Sequence, residues 1–291
     1  MVTLYQEART ALRESGFRPR RRLGQHFLIQ EHVLETIVRL ADLSAQDEVV
    51  EIGPGLGFLT RRLLKAARRV WAVEVDPFLV EWLRRSPLGS QAAFELVQGD
   101  VLELDLEAML PAHRIKLVAN LPYSISTPVL FRLFESRSHF SFLVLMVQQE
   151  VAERMAGAPG TKAYGTLSVW CQIHGRIVER VPVSPEAFFP RPKVRSAILK
   201  MDLYPAPLLP SEDMPLLRRV VRAAFGQRRK ILSNALRGLI GGRSAAVESL
   251  LRQEGIDPRR RGETLSVSEF IRLARALKTV VSFEAGDAGA S

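Results

Sequence analysis

From residue 48 to residue 148 the chain alternates short apolar runs with longer amphipathic stretches, and no other feature constrains its fold as tightly. The runs are Glu48–Ile52, Arg69–Val75, Ala93–Gln98, Lys116–Ala119 and Phe142–Gln148. Helical periodicity marks His32–Leu40, Phe58–Ala66, Pro77–Arg85 and Thr127–Glu135 between and before them. Short strands separated by helices specify an α/β domain with a mostly parallel sheet, because parallel neighbours need a crossover connection. Two later runs extend the pattern, Tyr164–Ile173 as a helix and Ala197–Leu203 as a final strand. The segment Pro182–Pro192 holds four prolines and reads as an ordered loop.

Past a second proline-rich passage, Pro205–Pro210, the pattern changes. Pro215–Phe225, Lys230–Leu239, Ser244–Glu254 and Ser266–Thr279 all repeat with helical spacing, and strand signals are scarce. The expected organisation is therefore a basic N-terminal segment over residues 1–30, an α/β domain over 31–204 and a small all-helical domain over 205–283. The polar stretch Glu284–Ser291 is expected to fray as a flexible tail.

Charge follows this division. The net +10 is absent from the middle: residues 31–204 carry equal numbers of acids and bases, residues 1–30 net +4 and residues 205–291 net +6. A neutral centre between basic flanks fits a polyanion gripped from its two ends. The candidate contacts are Arg20, Arg21 and Arg22 on one side and Arg228, Arg229 and Lys230 on the other. No apolar run approaches the ~18 residues of a membrane span. The opening Met1–Ser15 stretch is amphipathic, without an apolar signal core. The single cysteine, Cys171, forms no internal disulfide, and only His174 stands near it, so a cytoplasmic protein without a metal site is expected.

The chemistry begins after the first strand. Glu51-Ile52-Gly53-Pro54-Gly55-Leu56-Gly57 places a glycine-rich turn between a buried strand and a helix, where a ligand can approach the backbone. Its Gly-x-Gly-x-Gly spacing departs from the dinucleotide fingerprint, and Pro54 lacks a donor that a pyrophosphate would use. The second strand ends in Glu74, suited to a bidentate grip on two ribose hydroxyls, and the third in Gly99-Asp100, suited to an adenine amino group. Three successive strand ends carrying glycine turn, acid and Gly-Asp fit a nucleoside without a diphosphate.

The fourth strand runs into Asn120-Leu121-Pro122-Tyr123. The Asn120 side chain and the Leu121 carbonyl can both accept hydrogens of an exocyclic amine, and Tyr123 offers a face for a base. An adenine N6 amine is weakly nucleophilic because its lone pair is conjugated into the ring. Two acceptors that draw its hydrogens out of plane localise that pair in the transition state.

With these residues in place, the sequence resembles the ribosomal RNA adenine N6-dimethyltransferases over nearly its whole length. The resemblance rests on Leu23-Gly24-Gln25-His26-Phe27-Leu28, the Glu51–Gly57 turn, Asn120-Leu121-Pro122-Tyr123 and Ala187-Phe188-Phe189-Pro190-Arg191-Pro192-Lys193-Val194. Phe225–Lys230 and Arg261–Ser266 are similar to the housekeeping small-subunit branch. The resemblance implies a class I methyltransferase (Rossmann-like) sheet with a helical C-terminal domain, and S-adenosylmethionine as cofactor. It implies that Gly53, Gly55, Glu74, Asp100 and Asn120 line the cofactor site and that His26 and Leu28 close over it. His26 departs from the family, which commonly has Asn there. Phe188 maps to the family's aromatic and is expected to sandwich the target adenine with Tyr123, Phe189 belonging to the core.

The expected reaction is direct displacement by the N6 lone pair of an extruded adenine on small-subunit ribosomal RNA, free or in a precursor subunit, by a monomer. Asn120, Leu121, Tyr123 and Phe188 are its candidate catalytic residues. Two alternatives stay open at this stage: a binding-only assembly or transcription factor on the same fold, and an adenine N6-methyltransferase for large-subunit RNA.

Overall fold

A computed structural model of the chain describes residues 2–14, 16–20, 24–242 and 244–287. Its elements begin with α1 (Leu4–Glu14), β1 (Phe27–Leu28), α2 (Glu31–Ala41), β2 (Glu48–Ile52), α3 (Thr60–Ala66), β3 (Arg69–Glu74), α4 (Pro77–Arg85) and β4 (Phe94–Gln98). They continue with α5 (Leu106–Met109), β5 (Ile115–Asn120), α6 (Ser126–Glu135), β6 (Phe140–Gln148), α7 (Gln149–Met155) and α8 (Thr166–His174). After β7 (Gly175–Val183), β8 (Phe188–Phe189) and β9 (Ser196–Leu203) come the helices α9 (Met214–Gly226), α10 (Leu232–Leu236), α11 (Ser244–Gln253) and α12 (Val267–Asp287).

The larger sheet has the order β4-β3-β2-β5-β6-β9-β7. The pairs β4–β3, β3–β2, β2–β5 and β5–β6 are parallel, and β9 returns antiparallel to β6. β2 is buried along its length, as a strand without alternation requires when helices cover both faces. Leu34 and Ile37 of α2, Leu63 of α3 and Leu79 of α4 join Val49, Val70, Val118 and Val144 of the sheet in one core. α4 starts where Asp76 caps it by accepting from the Phe78 N–H at 3.1 Å, with Pro77 in its first turn. The chain leaves β2 toward β3 and β4, then crosses back to β5 on the other flank of β2. That reversal makes the carboxyl ends of β2 and β5 a switch point, where ligands of open sheets bind.

The N-terminal segment is tied to this frame. α1 buries Leu4, Ala8 and Ala11, one face of an amphipathic helix. β1 pairs antiparallel with β8, Phe27 opposite Phe189 and Leu28 opposite Phe188.

The chain divides into two units. One comprises Met1–Ala152 and Arg176–Tyr204, the other Glu153–Gly175 and Pro205–Ser291. Residues 153–175 thus group with the C-terminal helices, whereas the sequence pattern places them inside 31–204. The reason is packing: the Tyr164 ring meets Phe225, Arg218 covers the Trp170 ring, and the Leu208 N–H donates to the Ile173 carbonyl at 3.0 Å. The helical unit closes on Leu217, Val220, Leu251, Phe270 and Leu273, all fully buried.

One further difference has a physical cause. Gly175–Val183 is a strand, which the run pattern leaves unassigned up to the loop expected from Pro182; it lies at the sheet edge with most side chains exposed, where Pro182 is tolerated. The last helix continues to Asp287, into the stretch expected to fray.

Candidate active site

Four strands deliver their carboxyl ends to one cavity. Gly53 follows β2, Glu74 ends β3, Asp100 follows β4 and Asn120 ends β5. His26, Leu28, Gly55, Leu121 and Tyr123 line the same cavity, so nine of the sequence-predicted positions converge.

The turn is built as its glycines require. Gly53, Gly55 and Gly57 have φ of 70°, 59° and 81°, a region that side chains rarely adopt. A Cβ on Gly55 would also stand 3.1 Å from the Phe27 ring, a tight contact that would press the N-terminal segment away from the turn. Glu74 is 5% exposed and holds the turn from the next strand: its Oε2 accepts from the Gly55 N–H at 3.3 Å and its Oε1 from the Asp76 N–H at 2.9 Å. Burial raises its carboxyl above the usual range, and the charge of Asp76 adds to that. Asp100 is oriented by the Leu102 N–H, which donates to its Oδ1 at 2.9 Å.

The second half of the cavity concerns the Asn120 turn. The Asn120 amide donates through Nδ2 to the His26 carbonyl at 3.3 Å, which leaves Oδ1 as the acceptor. The Leu121 N–H is fixed on the Met146 carbonyl at 3.0 Å. The Tyr123 hydroxyl meets Ser196 Oγ at 2.6 Å, and burial holds its phenol above the ordinary value. Its ring stacks on His26, with centroids 5.3 Å apart and planes at 30°. Rings this close are in contact, so no base fits between them. His26 Nδ1 lies 2.6 Å from the Pro190 carbonyl, which can only accept; the ring proton therefore sits on Nδ1.

Phe188 is not brought into the cavity. It is 2% exposed and part of the core, because the pairing of β8 with β1 turns its ring inward. Phe189, expected in the core, is the more exposed of the two and packs perpendicular to the Tyr5 ring. The ring facing Tyr123 is His26, so the expected Tyr123–Phe188 sandwich is not formed.

Two acids that the motifs do not single out belong here. Glu51 lines the cavity from the carboxyl end of β2, is 1% exposed, and its Oε2 has no hydrogen-bond partner. Burial pushes its carboxyl up to about 8, and the charge of Glu74 acts in the same direction. An acid within a buried strand, two residues before the glycine turn, was its sequence signal. Asp76 lies behind the site, where its buried carboxylate accepts from Gln25 Nε2 at 2.9 Å and pairs with Arg20 at 3.7 Å. The Asp76-Pro77 cap signature could have marked it.

The expected RNA-binding residues fall in different settings. Arg20 is paired with Asp76, and Arg21 and Arg22 lie outside the described residues. Within the helical unit, Arg228 donates to the carbonyls of Tyr164 at 2.8 Å and Lys162 at 3.3 Å and sits 3.7 Å from Glu263. Arg229 and Lys230 are exposed.

The lining as a whole has a chemical sense. Glu51, Glu74 and Asp100 are its charged members, and among the described residues no Lys or Arg lines it. Such a cavity disfavours a phosphate-bearing cofactor and suits a cation with ribose hydroxyls. S-adenosylmethionine fits on both counts, and the unpartnered Glu51 oxygen is a buried acceptor available to its positive charge. Among the described residues no group of three His, Cys, Asp or Glu could hold a metal ion, and no helix is long and apolar enough to cross a membrane.

Known proteins resemble this chain in sequence and fold. A curated relative from Syntrophotalea carbinolica, Ribosomal RNA small subunit methyltransferase A, is 46% identical over 90% of this chain and 97% of its own length. Its namesake from Geobacter metallireducens is 44% identical over 91% and 98%. Among solved structures, the 23S rRNA methyltransferase ErmE matches with a TM-score of 0.66 at 26% identity, over 87% of this chain and 99% of that one. A dimethyladenosine transferase from Plasmodium falciparum has the same fold, with a TM-score of 0.76 at 24% identity, over 87% and 98%. The fold is that of the class I S-adenosylmethionine-dependent methyltransferases. The model of the family described as ribosomal RNA adenine dimethylase matches residues 16–278, and this chain belongs to that family.

Proposed function

We infer that this enzyme transfers methyl groups from S-adenosylmethionine to N6 of adenosines in small-subunit ribosomal RNA, giving the dimethylated base during subunit maturation. The observation that carries this reading is an acid-lined cavity, without a basic side chain among the described residues, that shares its lining with the Asn120–Tyr123 turn. When bound, the cofactor supplies an electrophilic methyl on a sulfonium.

The chain's own residues do the rest. Glu74 holds the ribose hydroxyls, Asp100 the adenine amino group, and Glu51 faces the positive charge. His26 and Leu28 close the site from the N-terminal segment. Asn120 Oδ1 and the Leu121 carbonyl accept the hydrogens of the target amine and free its lone pair. Tyr123, kept neutral and fixed through Ser196, supplies a stacking face for the extruded base. No strong base is required, because the alkylated amine is acidic and water takes its proton. Positioning is the main contribution of the site.

The test is methyl incorporation from labelled cofactor into isolated small subunits, large-subunit RNA and DNA, with the modified nucleoside identified after digestion. N6-dimethyladenosine in small-subunit RNA alone is expected. Label confined to large-subunit RNA or DNA, or no label at all, refutes the reading.

A further inference from the structure

Beside the cavity just described, the same unit carries a second concavity of opposite character. It is lined by Arg9, Arg13 and Arg18, with Phe17, Phe189 and Pro190 among its apolar members and, among the described residues, no acidic side chain. The three arginines are exposed. Phe17 is committed elsewhere, stacked on Phe78 with centroids 4.5 Å apart, and Phe189, packed against the core but half-buried, is the ring of this lining with surface left for a ligand. Phe189 and Tyr5 stand perpendicular with centroids 5.4 Å apart, and the Arg9 guanidinium lies over Tyr5 at 5.7 Å. Tyr5 itself is 41% exposed.

The β1–β8 ribbon joins the two concavities. Phe27 of β1 lines the acid-lined cavity and pairs with Phe189 of β8, which lines the basic one. His26 and Pro190, hydrogen-bonded at 2.6 Å, repeat that relation one residue further along. A strand whose adenine enters the first concavity therefore has its neighbouring nucleotide within reach of the second.

We propose that the Arg9–Arg13–Arg18 concavity is a subsite for an unpaired nucleotide flanking the target adenosine, its base stacked on Phe189 and its phosphates on the arginines. The proposal rests on the RNA substrate inferred above and names where the strand runs. Arginines interleaved with aromatic rings recognise single strands in this way, the rings tolerating any base and the charges following the backbone. A cationic concavity without a carboxylate has no use for the cofactor's positive charge, which separates its role from that of the first.

The test measures binding of a short oligoadenylate strand and of an abasic strand with the same number of phosphates. Phe189→Leu, which keeps apolar volume, should weaken the oligoadenylate roughly 5- to 100-fold and leave the abasic strand unchanged. Phe189→Trp should restore the difference. Arg13→Gln with Arg18→Gln should weaken both strands and lower the salt slope by roughly 1.4, the value for two single-strand phosphates. In the wild-type protein a thiouridine-substituted strand should photocrosslink to Tyr5 or Phe189, a readout that needs no variant to fold. The proposal is overturned by a crosslink map that omits this segment, by a normally melting Phe189→Leu that still discriminates the strands, or by an arginine pair variant with an unchanged slope. None of these readouts involves methyl transfer, so they can fail while methyl incorporation into the small subunit succeeds, and the reverse.

Discussion

Glu51 is the residue whose protonation the site controls most directly. Its carboxyl is pushed up to about 8 by burial, so without ligand it is protonated at neutral pH. A cationic ligand favours the carboxylate, so binding near neutrality expels a proton and affinity should rise with pH, by up to about tenfold per unit, until it levels off near 8. The sign for stability is opposite. Between the ordinary carboxyl value and 8 the folded chain holds a proton that the unfolded chain has released, so the contribution of Glu51 is full at acid pH and lost as pH rises through 8. Glu51→Gln should flatten both dependences, as calorimetric cofactor titrations and melting curves at about pH 6.5 and about pH 9 would show. A cofactor affinity with the same pH slope in Glu51→Gln would remove Glu51 from the site. Asn120 makes a different prediction. Its Oδ1 is assigned to the target amine, while its Nδ2 holds the His26 carbonyl. Asn120→Ala should lower kcat by roughly 100- to 1000-fold, as loss of a transition-state hydrogen-bonding group does, with a small change in cofactor affinity. Single-turnover methylation at the wild-type rate would show that the acceptor lies elsewhere.

At the scale of elements, sequence was most informative where burial is greatest. Glu48–Ile52 and Pro77–Arg85 appear in the structure with the bounds read from pattern, and the other central strands differ by a residue or two. Covered on both faces, these strands are mostly apolar, and the cap at Asp76-Pro77 writes the start of α4 into the chain. β7 was illegible for the converse reason: an exposed edge needs no apolar face. β1 and β8, two residues each, are too short to carry any period, yet they decide which aromatic meets the site. Motif order therefore located the glycine turn, Glu74, Asp100 and Asn120, whereas the inward turn of Phe188 depended on a pairing between segments 160 residues apart in sequence. Tyr123 and Phe188 should consequently behave differently. Phe188→Ala should destabilise the fold by about 3–5 kcal/mol, the cost of a large core truncation. Phe188→Leu should melt close to wild type and retain methylation. Tyr123→Ala should fold but lose about 1–3 kcal/mol of stacking on the base, a fall of roughly 5- to 100-fold in rate at subsaturating RNA. A well-folded Phe188→Leu with a similar kinetic loss would return Phe188 to the stacking role.

On the scale of the whole molecule, the charge excess lies at the two ends of the chain, but not every base there is available to RNA. Arg260 is tied to Glu269 by two hydrogen bonds of 2.5 and 3.2 Å, Lys278 pairs with Asp213, and Arg228 is held by two backbone carbonyls and Glu263. These residues brace the helical unit. Arg229 and Lys230, next to Arg228 and exposed, are the bases of this segment open to phosphates. The three neighbours therefore separate by experiment. Arg228→Gln should lower the melting temperature, because it removes donors from the carbonyls of Lys162 and Tyr164. Arg229→Gln with Lys230→Gln should leave melting unchanged, weaken binding of small-subunit RNA, and reduce the salt slope by roughly 0.7–0.9 for each phosphate no longer neutralised. Cofactor affinity should stay constant, since neither residue lines the acid-lined cavity. A replacement of all three would mix a folding defect with a docking defect, which is why the pair is the informative variant. If the pair binds RNA with wild-type affinity and salt slope, the excess charge of the helical unit is a solvated surface and the grip on RNA lies in the N-terminal segment.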